Sequence, residues 1–173
     1  MSDAARELHP AALSETLLLR ACTIRRTRRG GPGGQHRNKV ETAVVITHAP
    51  TGLQGEGSER RSQDLNRQAA VQRLRVKLAL HVRGAVSLND LPSELWQARA
   101  SGGKLRVSTE HADFPALLAE ALDYFFATDR DISTASRHLG VSASQLTKFL
   151  QQAPQAIALV NAARQERGLR PLQ

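Results

Sequence analysis

Between Arg25 and Lys39 the chain reads RRTRRGGPGGQHRNK, with no hydrophobic periodicity. A stretch with so little to bury cannot be a core strand or a core helix. It is expected as an exposed, mobile loop, so ordered structure must form on either side of it. Six Arg or Lys surround four glycines, one proline and one glutamine. Paired glycines accept positive φ and let another backbone approach closely. Flanking cations attract a phosphate-bearing partner. Gly33, Gly34 and Gln35 are therefore the place to look for chemistry.

Charge supports a polyanion at this position. The net charge is +8, and its location matters more than its size. Residues 20–83 hold 14 Lys or Arg against 4 acidic groups, while residues 84–112 and 113–173 are each balanced. A merely solubilising surface would spread the excess along the chain. One cysteine, Cys22, excludes an intrachain disulfide and fits a reducing compartment. The start MSDAARELHP lacks a basic region followed by an apolar run, and no stretch approaches the ~20 apolar residues that cross a bilayer. The expectation is a cytoplasmic protein, with no membrane partner, no cofactor and no metal.

In chain order, Pro10 opens a helix to about Cys22, with Ala11, Leu13, Leu17 and Leu18 as apolar contacts. Thr23 to Thr27 is β-prone, and Val40 to His48 reads as a strand. Ala49-Pro50-Thr51-Gly52 is a turn, after which Leu53 to Ser58 returns antiparallel. Ser62 caps a helix running to about Val82, whose apolar positions are Leu65, Ala69, Val71, Leu74, Leu78 and Val82. Pro92 to Ala100 reads as a short helix and Lys104 to Ser108 as a short strand. Helices are expected over Pro115 to Ala127, Ile132 to Leu139, Ser142 to Gln151 and Pro154 to Arg167. Trp96 is expected to be a packing anchor rather than a stacking platform. The piece TASRHLGVSASQLTKFL, Thr134 to Leu150, has helix-turn-helix spacing, with Ala135, Leu139, Val141, Leu146 and Leu150 inside and Gly140 in the turn. That spacing serves nucleic-acid contact, RNA before DNA, or packing and protein contact alike. The fold class is thus α+β: a small mixed or antiparallel sheet with the exposed glycine loop packed on a long helix, plus a C-terminal helical module. The domains are set at residues 1–112 and 113–173.

Several chemistries are excluded by pattern. A nucleotide P-loop requires Lys-Ser or Lys-Thr after its last glycine, and Gln35-His36 follows here. A dinucleotide fingerprint opens a helix, whereas this loop leads into a strand. His36 and His48 have no partner at metal-ligand spacing, and a lone Cys is more often inert than catalytic. An arginine/glycine RNA-binding tract would explain the charge, but not the sequence that follows.

That sequence, GGPGGQHRNKVETAVVITHAPTGL followed by SERRSQDLNRQAAVQRLR, closely resembles the catalytic domain of class-I peptide chain release factors. The shared features are the Gly-Gly-Gln tripeptide and Asn38-Lys39, then Ala43-Val44 in a strand and Pro50-Thr51-Gly52. Arg61-Ser62-Gln63 with Asn66-Arg67 completes the set, and the likeness runs over about residues 20 to 83. The resemblance implies hydrolysis of the peptidyl-tRNA ester in the ribosomal peptidyl-transferase centre, with the Gln35 backbone N–H stabilising the oxyanion. It implies that Gly33 and Gly34 permit that geometry and that the Gln35 side chain admits water. Charge and position make Arg25, Arg26, Arg28, Arg29, His36, Arg37 and Lys39 the expected RNA contacts, with Asn38 tying the loop to its base and Arg60, Arg61 and Arg67 adding to them at the start of the long helix. The expected partners are the large-subunit ribosomal RNA and peptidyl-tRNA, with a methyltransferase acting on Gln35 as one to test and a monomer as the working state.

The departures are informative. The chain is too short for stop-codon-reading domains, and ARQERGLRPLQ is not the long basic tail of short rescue factors. Arg37 and Val45 stand where full-length factors often carry a small apolar residue and an arginine. The expectation is codon-independent release. The alternative is a non-catalytic ribosome- or RNA-binding regulator that uses the helix-turn-helix-like module.

Overall fold

A computed structural model describes residues 8–27 and 42–173. The chain divides into two compact units. One is Leu13–Leu78; the other is Ala79–Gln173 with the described residues up to Ala12.

In the first unit, α1 spans Glu15–Arg20. The single helix expected from Pro10 is not formed. Pro10–Ala12 is a separate 3-10 turn, and the Ser14 side chain accepts the Leu17 N–H at 3.3 Å. That side-chain bond gives α1 its own start, because serine competes with the backbone ladder. Strands β1 (Cys22–Thr27), β2 (Ala43–His48) and β3 (Gln54–Gly57) make an antiparallel sheet in that order. β2 begins later than Val40: Val40 and Glu41 lie outside the described residues, and the Thr42 carbonyl is taken by a side chain rather than the ladder. The β2–β3 turn has the expected chemistry. Gly52 adopts φ +69° and donates its N–H to the His48 carbonyl at 2.8 Å.

Helix α2 (Gln63–His81) starts where Ser62 accepts the Leu65 N–H. It packs on β3 without side chains in between. A Cβ on Gly55 would meet the Ala70 carbonyl oxygen at 2.0 Å, and one on Gly57 the Asn66 carbonyl oxygen at 2.0 Å. Cross-strand pairing puts Val44 and Ile46 on the same face as these glycines. The helix is rotated from the expected apolar stripe. Leu65 is exposed, while Asn66, Ala70, Leu74 and Leu78 are fully buried.

In the second unit, α3 (Glu94–Arg99) is capped by Ser93 and is shorter than expected. A hairpin follows: β4 (Ala100–Ser101) and β5 (Lys104–Leu105) are joined by Gly102 and Gly103, both at positive φ. The strand expected as far as Ser108 pairs over only two residues. Four helices come next: α4 (Phe114–Ala127), α5 (Ile132–His138), α6 (Ala143–Gln151) and α7 (Pro154–Gln165). Trp96 is completely buried; its ring meets Phe149 edge-on at 6.1 Å, and its indole N–H donates to the Leu139 carbonyl at 2.8 Å. It is a packing anchor. The helix-turn-helix spacing has its structural meaning too, since Ala135, Leu139, Val141, Leu146 and Leu150 are buried and Gly140 turns at φ +66°.

Candidate functional site

Thr27 and Ala43 are the last paired residues of β1 and β2 on the side where residues 28–41 join the two strands. The base of that connection is held by Asn66. Its Nδ2 donates to the Thr42 carbonyl at 2.7 Å and to the Arg60 carbonyl at 2.8 Å; its Oδ1 accepts the Arg60 N–H at 2.9 Å. One buried amide therefore fixes both the end of the glycine stretch and the bend carrying Arg60 and Arg61. Three hydrogen bonds satisfy a side chain that burial alone would penalise. Asn66 was not among the expected site residues, although it belongs to the pattern shared with release factors. The signal that marks it is an asparagine at the start of a stripe that continues through Ala70, Leu74 and Leu78.

The proposed RNA contacts fall into distinct places. Arg25 pairs across from Val45 and Arg26 across from Val44, so the two are exposed on opposite faces of β1. Arg60 and Arg61 are exposed in the bend before α2. Arg67 is exposed but ion-paired, 3.2 Å from Glu15. Arg28, Arg29, Gly33, Gly34, Gln35, His36, Arg37, Asn38 and Lys39 lie outside the described residues. Nearby, Arg73 donates to the Glu56 carbonyl at 2.6 Å and to Glu59 Oε1 at 2.7 Å. The Arg73 hydrogen bond, helped by backbone N–H groups, holds the Glu59 carboxyl down at about 2. Arg73 is thus ion-paired, whereas Arg60 and Arg61, beside the loop base, have no carboxylate partner among the described residues.

The remaining reactive side chains have structural duties. Cys22 donates its S–H to the Leu18 carbonyl, and burial raises its pKa, which disfavours the thiolate. His48 is buried, bonds the Thr51 hydroxyl at 2.9 Å, and has its pKa lowered by burial. Among the described residues no three His, Cys, Asp or Glu side chains gather as metal ligands, and no helix is long and apolar enough to cross a membrane.

With this geometry in hand, comparison with known proteins gives a family. The family model described as the RF-1 domain matches residues 17–106, just over half of the chain. The chain belongs to the RF-1 domain family, as a class-I release-factor-like protein. It is 58% identical over 52 residues to the chloroplastic peptide chain release factor PrfB1 of Arabidopsis thaliana, covering 30% of this chain and 11% of the relative. It is 57% identical over 51 residues to peptide chain release factor 1 of Chlorobaculum tepidum, covering 30% and 14%. Against peptide chain release factor 2 of Staphylococcus haemolyticus it is 48% identical over 56 residues, covering 32% and 15%. The chain thus matches less than a fifth of each of these relatives' length. No solved structure matches it significantly.

Proposed function

We propose that this protein hydrolyses the ester linking a nascent peptide to transfer RNA on the ribosome, without reading a stop codon. The observation that carries the reading is the Gly33-Gly34-Gln35 tripeptide, in a chain of the RF-1 domain family, on the connection whose base Asn66 secures. Attack of water on the ester carbonyl creates a tetrahedral oxyanion. A backbone N–H at Gln35 supplies the hydrogen bond to it, and such a donor is typically worth ~10²–10³ in rate. Gly33 and Gly34 allow the backbone to present that N–H. The Gln35 side chain shapes a space for water and excludes bulkier nucleophiles. Arg60 and Arg61, with the cations of residues 25–39, hold the phosphates of ribosomal and transfer RNA. Beyond the RF-1 domain match at residues 17–106 the chain continues as helices α4 to α7, and codon independence is proposed on that helical make-up. Monomeric, cytoplasmic action and methylation of Gln35 belong to the same proposal.

The test is peptide release from ribosomes loaded with peptidyl-tRNA, comparing an empty A site, a stop codon and a sense codon. Release is expected in all three. Gly33→Ala and Gly34→Ala should each lose ~10²-fold or more, and Gln35→Ala less, because its side chain is not the donor. Absence of release on every complex, or equal release by all three variants, sinks the proposal.

A further inference from the structure

Residues 113–173 are neutral by count, but their charges are not evenly disposed. Every acidic group of this stretch is engaged inside the unit. Asp113 binds Arg99 at 2.6 Å and Glu120 accepts from Ser93. Asp123 holds Arg83 and the Gly84 N–H, and Asp129 pairs with Arg167 at 3.0 Å. Asp131 caps α5, and Glu166 lies 3.5 Å from Arg130. By contrast, Lys104, Arg106, Arg137, Lys148 and Arg170 are exposed and, among the described residues, have no carboxylate partner. Arg137 reaches only the Thr134 hydroxyl.

The first four of these cations lie on neighbouring elements, and Arg170 is in the C-terminal segment after α7. Arg137 is on α5 and Lys148 on α6, the two helices of the helix-turn-helix. Lys104 is in β5, Arg106 follows it, and β5 lies against α6. Ser144, Lys148 and Gln151 recur at helical spacing on the solvent face of α6. Hydroxyl, ammonium and amide groups are what phosphate oxygens, sugars and base edges accept from or donate to. Among the described residues, the acids of this unit with no ion pair or side-chain hydrogen bond, Asp90, Glu94 and Glu110, lie outside α5, α6 and β5. So do its large exposed apolar side chains, Leu8, Leu91 and Leu169. Among the described residues, α5, α6 and the β4–β5 hairpin therefore carry no large exposed apolar side chain to anchor a protein partner.

We propose that α5, α6 and the β4–β5 hairpin form a second RNA-binding face, which takes the phosphodiester backbone through Lys104, Arg106, Arg137 and Lys148. Ser144 and Gln151 supply the neutral hydrogen bonds beside them. The choice of RNA over DNA rests on the ribosomal reading above; the face itself does not depend on catalysis.

The test uses the full chain carrying Arg28→Ala, Arg29→Ala and Arg37→Ala, which weakens binding by the glycine stretch. A mixed-sequence RNA hairpin and its DNA counterpart are titrated at several salt concentrations. Adding Lys104→Ala, Arg106→Ala, Arg137→Ala and Lys148→Ala should weaken RNA binding about tenfold or more. The slope of log affinity against log salt should fall by about three, since each lost phosphate contact removes ~0.7–0.9. Replacing Lys104 and Lys148 by Arg should retain the slope, and an unchanged thermal transition shows that the fold is intact. An unchanged slope, or DNA bound as tightly as RNA, overturns the proposal. Binding is read without peptidyl-tRNA, so failure of peptide release leaves this result standing, and the reverse also holds.

Discussion

Asn66 is a polar residue at a position where helix periodicity favours an apolar one, and its neighbour Leu65 is exposed instead. The exchange follows from backbone accounting: one amide serves three main-chain groups at the loop base. Asn66→Ala leaves those groups to water or to nothing, and should cost about 2–3 kcal/mol in urea unfolding. Asn66→Asp keeps the acceptor for the Arg60 N–H but turns a carboxylate toward two carbonyls. It should be no more stable than Asn66→Ala, and it should lower peptide release more than Arg67→Ala does. His48 gives a pH signature. Burial lowers its pKa below the ordinary 6.5, so the folded state binds fewer protons than the unfolded one. Its contribution is fully present above about pH 6.5 and is lost as pH falls through the lowered folded value. Urea midpoints at about pH 8 and about pH 5 should therefore differ more for the wild type than for His48→Gln. A larger difference in the variant would contradict this assignment.

At the scale of elements, Gly55 is where helix and sheet touch. Gly55→Ala drives a methyl into the Ala70 carbonyl and the Leu74 backbone. The clash is with main chain, which cannot rotate away, so a loss of about 1–3 kcal/mol or more is expected in thermal or urea melts. Gly52→Ala meets open space and bears only the left-handed backbone cost of about 1 kcal/mol. A reversed order would mean that α2 does not rest on β3 through these glycines. The same elements show what was legible in the sequence. α4 to α7 could be read because caps such as Ser142 and Asp131, and prolines at the starts of α4 and α7, coincide with apolar periodicity. The β2–β3 turn could be read from Pro50-Thr51-Gly52. The break at Ser14 could not, because Pro10 to Cys22 has continuous helical spacing and only the serine's own hydrogen bond divides it. Nor could the rotation of α2, since periodicity weighs Leu65 as core and gives an asparagine no credit for satisfying backbone. For the candidate site, the tripeptide and its basic flanks were plain from composition, whereas the hold of Asn66 on Thr42 at the base of that connection is not encoded by spacing.

At the scale of the whole molecule, the two units differ in chemistry. Excess positive charge sits on residues 20–83, whereas the acids of residues 113–173 are engaged within the second unit and Lys104, Arg106, Arg137 and Lys148 stay exposed. Their cores also differ. Leu13–Leu78 contains no Phe, Tyr or Trp, so its interior rests on Leu, Val, Ile and Ala against glycine-lined contacts. Trp96, Tyr124 and all four phenylalanines belong to the second unit. The chain is therefore labelled for spectroscopy on one side only. Ultraviolet emission and near-ultraviolet dichroism report the burial of Trp96 under the Leu139 carbonyl, while the unit carrying the tripeptide is optically silent. A tryptophan placed at exposed Leu65 would give that silent unit a reporter of its own, beside the Asn66 that holds the base of the glycine stretch.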